Sequence, residues 1–193
     1  MEITSETITT LLARIESGDN EARDALLTVA YDELKLLAAD LMRGERAGHT
    51  LQPTALLHEA MLRVQHHRQI GQGRGRSYFF AVMVGAMRRV LVDHARARQA
   101  ARRGGTNAQR VPLDAIVDAV EQDQHLDLID LDDALQRLAS WNPRQAEVVT
   151  LRYFGGWTIA EIANHLLCSV SLIEKDWRLA RAWLARQLGD GES

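Results

Sequence analysis

The stretch TIAEIANHLLCSVSLIEKDWRLARAWL, Thr158 to Leu184, holds two helical periodicities separated by a short break. Ile159, Ile162, Ala163 and Leu166 fall on one helical face, and Ile173, Trp177, Ala180 and Leu184 repeat at spacings of four, three and four. Thr158 followed by Glu161 has the spacing of a capping box, in which the hydroxyl takes an N3 amide and the carboxylate reaches back to the cap. In the connection Leu167-Cys168-Ser169, Ser169 or Ser171 is the next N-cap, and the small Ala163 lets the two helices approach closely. This is the pattern of a helix-turn-helix, which makes duplex DNA the first partner to consider; an ordinary helical hairpin is the plain alternative. The second helix is the expected reader. Its exposed side chains, Ser171, Leu172, Glu174, Lys175, Arg178 and Arg181, suit base edges at the N-terminal turn and phosphates further along.

Working outward, four earlier apolar periodicities, Ile8 to Ile15, Leu26 to Leu41, Leu56 to Val64 and Phe79 to Val92, predict an N-terminal block of four helices. Strand alternation is absent. Asn20 or Asp19 is placed to cap the second helix, Pro53 suits the first position of the third, and Ser77 is the expected cap of the fourth after the GQGRGRS loop. Arg103-Gly104-Gly105-Thr106-Asn107 breaks the pattern, and two further helices are expected at Leu126 to Ala139 and Pro143 to Tyr153. The chain thus reads as all-α, with two small helical domains, residues 1–103 and 126–189, joined by a flexible acidic linker, 104–125. All four tryptophans, Trp141, Trp157, Trp177 and Trp183, lie in the second block. They are expected to supply the large buried area that a small domain needs.

A composition near half apolar and a quarter charged is that of a folded soluble protein. No apolar run approaches the roughly 20 residues that span a bilayer, and the opening MEITSETITT lacks a basic-then-apolar pattern. Cytoplasmic residence without membrane insertion is the expectation. The single cysteine, Cys168, allows no internal disulfide and sits where a small buried apolar residue would serve. The net charge of −3 conceals segregation: seven arginines against one acid from Arg88 to Arg110, then eight acids and no Lys or Arg from Val111 to Gln136. A basic helix end of this kind can hold a nucleic-acid backbone, while the acidic segment either covers it or occupies a site built for nucleic acid.

Three motifs carry a family resemblance. Leu56-Leu57-His58-Glu59-Ala60-Met61-Leu62-Arg63-Val64, Val92-Asp93-His94-Ala95-Arg96-Ala97-Arg98, and the frame Glu161 to Leu166 with Ser169 to Leu184 resemble the corresponding helices of extracytoplasmic-function (ECF) sigma factors, over nearly the whole chain. The ending DWRLARAWL, Asp176 to Leu184, is similar to one subgroup of them. The resemblance implies a non-enzymatic promoter-specificity subunit without cofactor, a monomer when free. Its first domain would bind the clamp of core RNA polymerase and open the minus-10 element, with Arg88, Arg89, Arg96 and Arg98 on phosphates; its second would read the minus-35 element. Tyr78, Phe79 and Phe80 stand near the start of the basic helix as stacking or packing groups, and packing is favoured because adjacent aromatics point in different directions. A stand-alone helix-turn-helix regulator, dimeric on two half-sites, and a polymerase-binding adaptor remain alternatives.

The departures from the family pattern are specific. Where the family has an acidic cluster, Asp-Ala-Glu-Asp, this chain has Gln52-Pro53-Thr54-Ala55. The resemblance places core-polymerase contact at Gln52, Thr54, Ala55, His58 and Glu59. With Pro53 at N1, Thr54 is N2, where a phosphate would meet free amides and the positive helix end and restore about −1.5 to −2 charges. Phosphorylation of Thr54 by a Ser/Thr protein kinase is therefore the expected switch. Leu167 replaces the usual turn glycine, so the turn either changes geometry or holds a leucine at positive φ. Glu174 replaces a usual Lys or Arg and suits cytosine N4 better than phosphate. No metal site is expected: His58-Glu59 begins a zinc motif, but position 62 is Leu, and His66-His67 cannot share a helical face. The glycines at 71, 73 and 75 lack the Lys-Ser/Thr of a phosphate-binding loop, and no catalytic constellation stands out.

Overall fold

The computed structural model describes residues 2–19, 21–43, 51–65, 75–101 and 128–189. Among them every regular element is helical, and the fold is all-α. The expected linker 104–125, the break at 103–107, the pair His66-His67, Gly71, Gly73 and the Asn20 cap lie outside the described residues. The chain divides into two compact units, with the dividing line between Val90 and Leu91.

The first unit contains α1 (Glu2–Glu16), α2 (Glu21–Arg43), α3 (Pro53–Gln65) and the N-terminal part of α4 (Gly75–Ala101). Ile8, Leu11, Leu12 and Ile15 of α1 are buried, the i, i+3, i+4, i+7 set of one helical face. In α2 the buried residues are Ala22, Leu26, Ala30, Leu34 and Ala38, one every fourth position, alternating small and large. That stripe packs against both α1 and α3. Asp19 caps α2: its Oδ1 accepts from the N–H groups of Glu21 (3.0 Å) and Ala22 (3.3 Å). Arg14 bonds Oδ2 at 2.6 Å and is the main reason the Asp19 carboxyl titrates below its ordinary range.

Pro53 opens α3 as expected, with Leu56 N–H closing onto the Gln52 carbonyl at 2.9 Å. The expected cap of α4 is corrected. The helix starts at Gly75, whose φ of 65° suits glycine, so Ser77 lies inside the first turn rather than ahead of it. Phe79 is fully buried with Met83, Met87 and Leu57, while Phe80 is half-buried under the Arg76 guanidinium, 4.8 Å from the ring centroid. The adjacent rings do face differently.

The second unit takes the end of α4 together with α5 (Leu128–Trp141), α6 (Pro143–Val149), a π-helical turn (Thr150–Phe154), α7 (Ile159–His165) and α8 (Val170–Gly189). Asn142 caps α6 by accepting from Gln145 N–H at 3.2 Å, and Pro143 takes the first position. The wide π turn, which the periodicity did not foresee, continues α6 and ends at a glycine pair. A Cβ on Gly155 would stand 2.6 Å from the Leu151 carbonyl oxygen and 3.0 Å from the Trp157 ring, and Gly156 adopts φ 65°. Arg152 ties the turn down by donating to the Trp157 carbonyl at 2.7 Å.

The core of this unit is aliphatic: Leu131, Leu135 and Leu138 of α5, Val148, Val149, Leu151 and Phe154, then Ile162, Ile173, Ala180 and Leu184. The tryptophans are not its centre, which corrects the expectation above. Trp141 is 57% exposed, and Trp157, Trp177 and Trp183 are half-buried. Their large rings cover the core's edge, with Trp141 and Trp183 meeting edge to face at 5.7 Å.

Candidate nucleic-acid interface

Helix α7 begins with the capping box in full. Glu161 N–H donates to Thr158 Oγ1 (3.2 Å), and Thr158 N–H and Oγ1–H both donate to Glu161 Oε2 (2.7 and 2.8 Å). The bond from the Thr158 amide, then that from its hydroxyl, holds the Glu161 carboxyl below the usual range. At the other end, Cys168 N–H reaches the Ala163 carbonyl (2.9 Å) and Leu167 N–H the Asn164 carbonyl (3.4 Å). These are the two crossed bonds of a Schellman ending, with Leu167 in the left-handed position that glycine ordinarily takes. Its φ is 53°, so of the two geometries open to the turn the chain adopts the positive-φ one. Cys168 is half-buried, its thiol donating to the Leu166 carbonyl at 3.3 Å.

Ser169 is the cap of α8, its Oγ accepting from Leu172 N–H at 3.3 Å. Of the six side chains expected to face DNA, Ser171, Glu174, Lys175 and Arg178 are exposed, whereas Leu172 and Arg181 are half-buried. The Arg181 guanidinium lies 5.7 Å from the Trp177 ring centroid, a cation–π approach that holds it along the helix. Leu179 is exposed as well.

The reading helix is fixed from behind by a polar clamp that the sequence analysis missed. Asp176 is only 3% exposed. Its carboxylate accepts from Arg144 Nε at 2.6 Å and Nη2 at 3.5 Å, and from Gln145 Nε2 at 3.2 Å. Gln145 is buried and is itself held by the Asn142 cap, so one chain of bonds joins the start of α6 to the middle of α8. Hydrogen bonding to Asp176, followed by its charge, raises the Arg144 pKa. A signal was available: Asp176 lies three residues after Ile173 and four before Ala180, on the buried face where Trp177 had been placed. Its charge argued for solvent instead.

The arginines of α4 divide between the two units. Arg88 and Arg89 belong to the first, Arg96 and Arg98 to the second. Arg89 is exposed and donates to the Gly85 carbonyl of its own helix at 3.2 Å; Arg88 and Arg98 are half-buried. Within the second unit Arg96 pairs with Asp133 at 2.8 Å and with the buried Asp132 at 3.2 Å, to which Gln136 also donates at 2.6 Å. Those two acids, counted with the acidic stretch, sit on α5.

At the start of α3, Gln52, Ala55 and His58 are exposed, and Thr54 and Glu59 are half-buried. Their spacings of three and four place them on neighbouring turns. The first turn holds no carboxylate. His58 Nε2 lies 3.4 Å from the Tyr31 hydroxyl, and Glu59 pairs with Arg63 at 3.5 Å.

Among the described residues no helix is long and apolar enough to cross a membrane. No curated protein matched the chain by sequence. The family model for ECF sigma factors matches residues 5–190. The match spans both helical units and the turn between α7 and α8, and the chain belongs to the ECF sigma factor family, non-enzymatic initiation factors that bind core RNA polymerase and promoter DNA.

Proposed function

We propose that this chain is a promoter-specificity factor of the subgroup marked by DWRLARAWL, monomeric when free, working in the cytoplasm, and switched on at Thr54. Residues 1–103 engage the polymerase clamp and the minus-10 element, 104–125 form the linker, and 126–189 read the minus-35 element. Ser171, Leu172, Glu174, Lys175, Arg178 and Arg181 face the minus-35 duplex. Arg88, Arg89, Arg96 and Arg98 meet minus-10 phosphates, with Arg96 first leaving Asp132 and Asp133. Gln52, Thr54, Ala55, His58 and Glu59 form the core-polymerase contact.

The observation that carries the switch is the first turn of α3, which has no acidic residue and presents Thr54 at N2. A phosphate there lies at the positive end of a 13-residue helix and carries enough charge to form one to three charge-assisted hydrogen bonds to a basic surface. A Ser/Thr protein kinase is the partner this chemistry requires. The test is co-elution with bacterial core RNA polymerase of wild type, Thr54→Glu and kinase-treated protein. Retention of the charged forms alone, at least about ten-fold above wild type, is the expected result. Equal retention of all forms removes the switch and leaves a polymerase partner; retention of none, with tight dimeric binding to a duplex operator, makes the chain a stand-alone regulator.

A further inference from the structure

Leu167 combines two features that each disfavour leucine. It occupies the left-handed position of the Schellman ending at φ 53°, where a Cβ is strained, and it is 92% exposed, the most exposed large apolar side chain among the described residues. Glycine would remove both penalties. The same unit does supply glycine where the backbone demands it, since Gly156 adopts φ 65° only eleven positions earlier. A leucine kept in such a place, contributing nothing to the packed core, points to a contact made outside the free protein.

Its surroundings indicate with what. Leu167 precedes the Ser169 cap of the reading helix by two residues, a reach of at most about 7 Å of chain. Val170, the first residue of that helix, is 47% exposed. Leu166 to Ile173 contains no ionisable group other than the Cys168 thiol, so this lip has neither the positive charge a phosphate needs nor the negative charge that would repel DNA. In the major groove the apolar feature of a base pair is the thymine C5-methyl, which aliphatic side chains contact beside the N-terminal turn of a reading helix. We infer that Leu167, with Val170 beside it, is a specificity residue that packs on a thymine methyl of the minus-35 duplex. This rests on the duplex-reading role proposed above.

The experiment uses full-length wild type, Leu167→Gly and Leu167→Ala, each assembled with core polymerase in whichever form of Thr54 binds it. The probe is the duplex that the wild-type holoenzyme enriches from a randomised library, made with thymine or, position by position, with uracil. Leu167→Gly is expected to raise the melting temperature of the free protein, by roughly 4–8 °C for a unit of this size, yet to bind the thymine duplex about four-fold more weakly. Leu167→Ala retains the strained backbone, so it should show the weaker binding without the thermal gain. Uracil at one position should weaken wild type by the same factor and leave both variants unaffected. Glycine and wild-type proteins binding alike, or a loss of equal size on thymine and uracil duplexes, overturns the inference, the second pointing to a protein partner. If the wild-type holoenzyme enriches no sequence, the duplex-reading role fails, and this inference with it.

Discussion

Helix α7 begins with Thr158 and Glu161 bonded to each other's backbone, and α8 with Ser169 over Leu172 and the Asp176 clamp behind it. Helix α3 begins with Pro53 and Thr54 and no carboxylate in its first turn. The first pair of helices is complete as translated: each start carries its own acceptor, and the polar group behind the reading helix is satisfied by three donors. Base reading requires this rigidity, because hydrogen-bond recognition tolerates little misplacement. The start of α3 has the helix-end field without the anion that would use it. Specificity is therefore built into the fold, while affinity for the polymerase is left to be added.

The sharpest way to break the contrast is to remove the clamp. Arg144→Ala leaves a buried carboxylate with Gln145 as its remaining partner, and the second unit should lose about 3 kcal/mol, read as an earlier denaturant midpoint. Next, Thr158→Ala should cost about 1 kcal/mol by loss of the cap, whereas Thr54→Ala should stay within about 0.5 kcal/mol of wild type and abolish any gain from kinase treatment. Thermal melts of the two variants side by side measure the difference between a finished and an unfinished entrance. Glu174→Lys should raise nonspecific duplex affinity, steepen its salt dependence by about one phosphate contact and relax selection at one base pair. Unchanged binding across a promoter library would remove Glu174 from the reading surface.

The smallest effect is in pH. The Glu161 carboxyl titrates lower when folded than when unfolded, so its contribution is fully present above the ordinary glutamate range and is lost as pH falls through the depressed folded value. Glu161→Gln should flatten the acid limb of the second unit's stability between those limits. A wild-type limb identical to that of the variant would mean the capping box carries no charge-dependent stability.

The local features were legible because their partners lie within a few residues. The Thr158–Glu161 box, the Ser169 and Asp19 caps and Pro53 at the start of α3 are all readable at spacings of one to three. Leu167 could be read as far as a choice between two geometries, and only the backbone decides it. Asp176 was not legible, since its partners Arg144 and Gln145 are more than thirty positions away and a carboxylate on a helix ordinarily faces water. The tryptophans misled for a related reason. Ring size predicts area available for burial, not where the aliphatic centre forms, and Leu135, Leu138 and Ile173 took that place. Of the candidate site, the exposure of Ser171, Glu174, Lys175 and Arg178 followed from periodicity, whereas the Arg96 pairing with Asp132 and Asp133 depends on chain folding across residues 102–127.

The π turn at Thr150–Phe154 can also be viewed as a phase setting in a shaft. It uses one residue more per turn than an α-helix, so everything after it, including the reading helix, is rotated by about 100° relative to an uninterrupted α-helical path. Removing a single residue there would let the helix close as ordinary α and would turn Gly155, α7 and α8 together out of register with α5. A point deletion, harmless in most exposed loops, thus becomes at this place a change of aim for the whole DNA-facing surface.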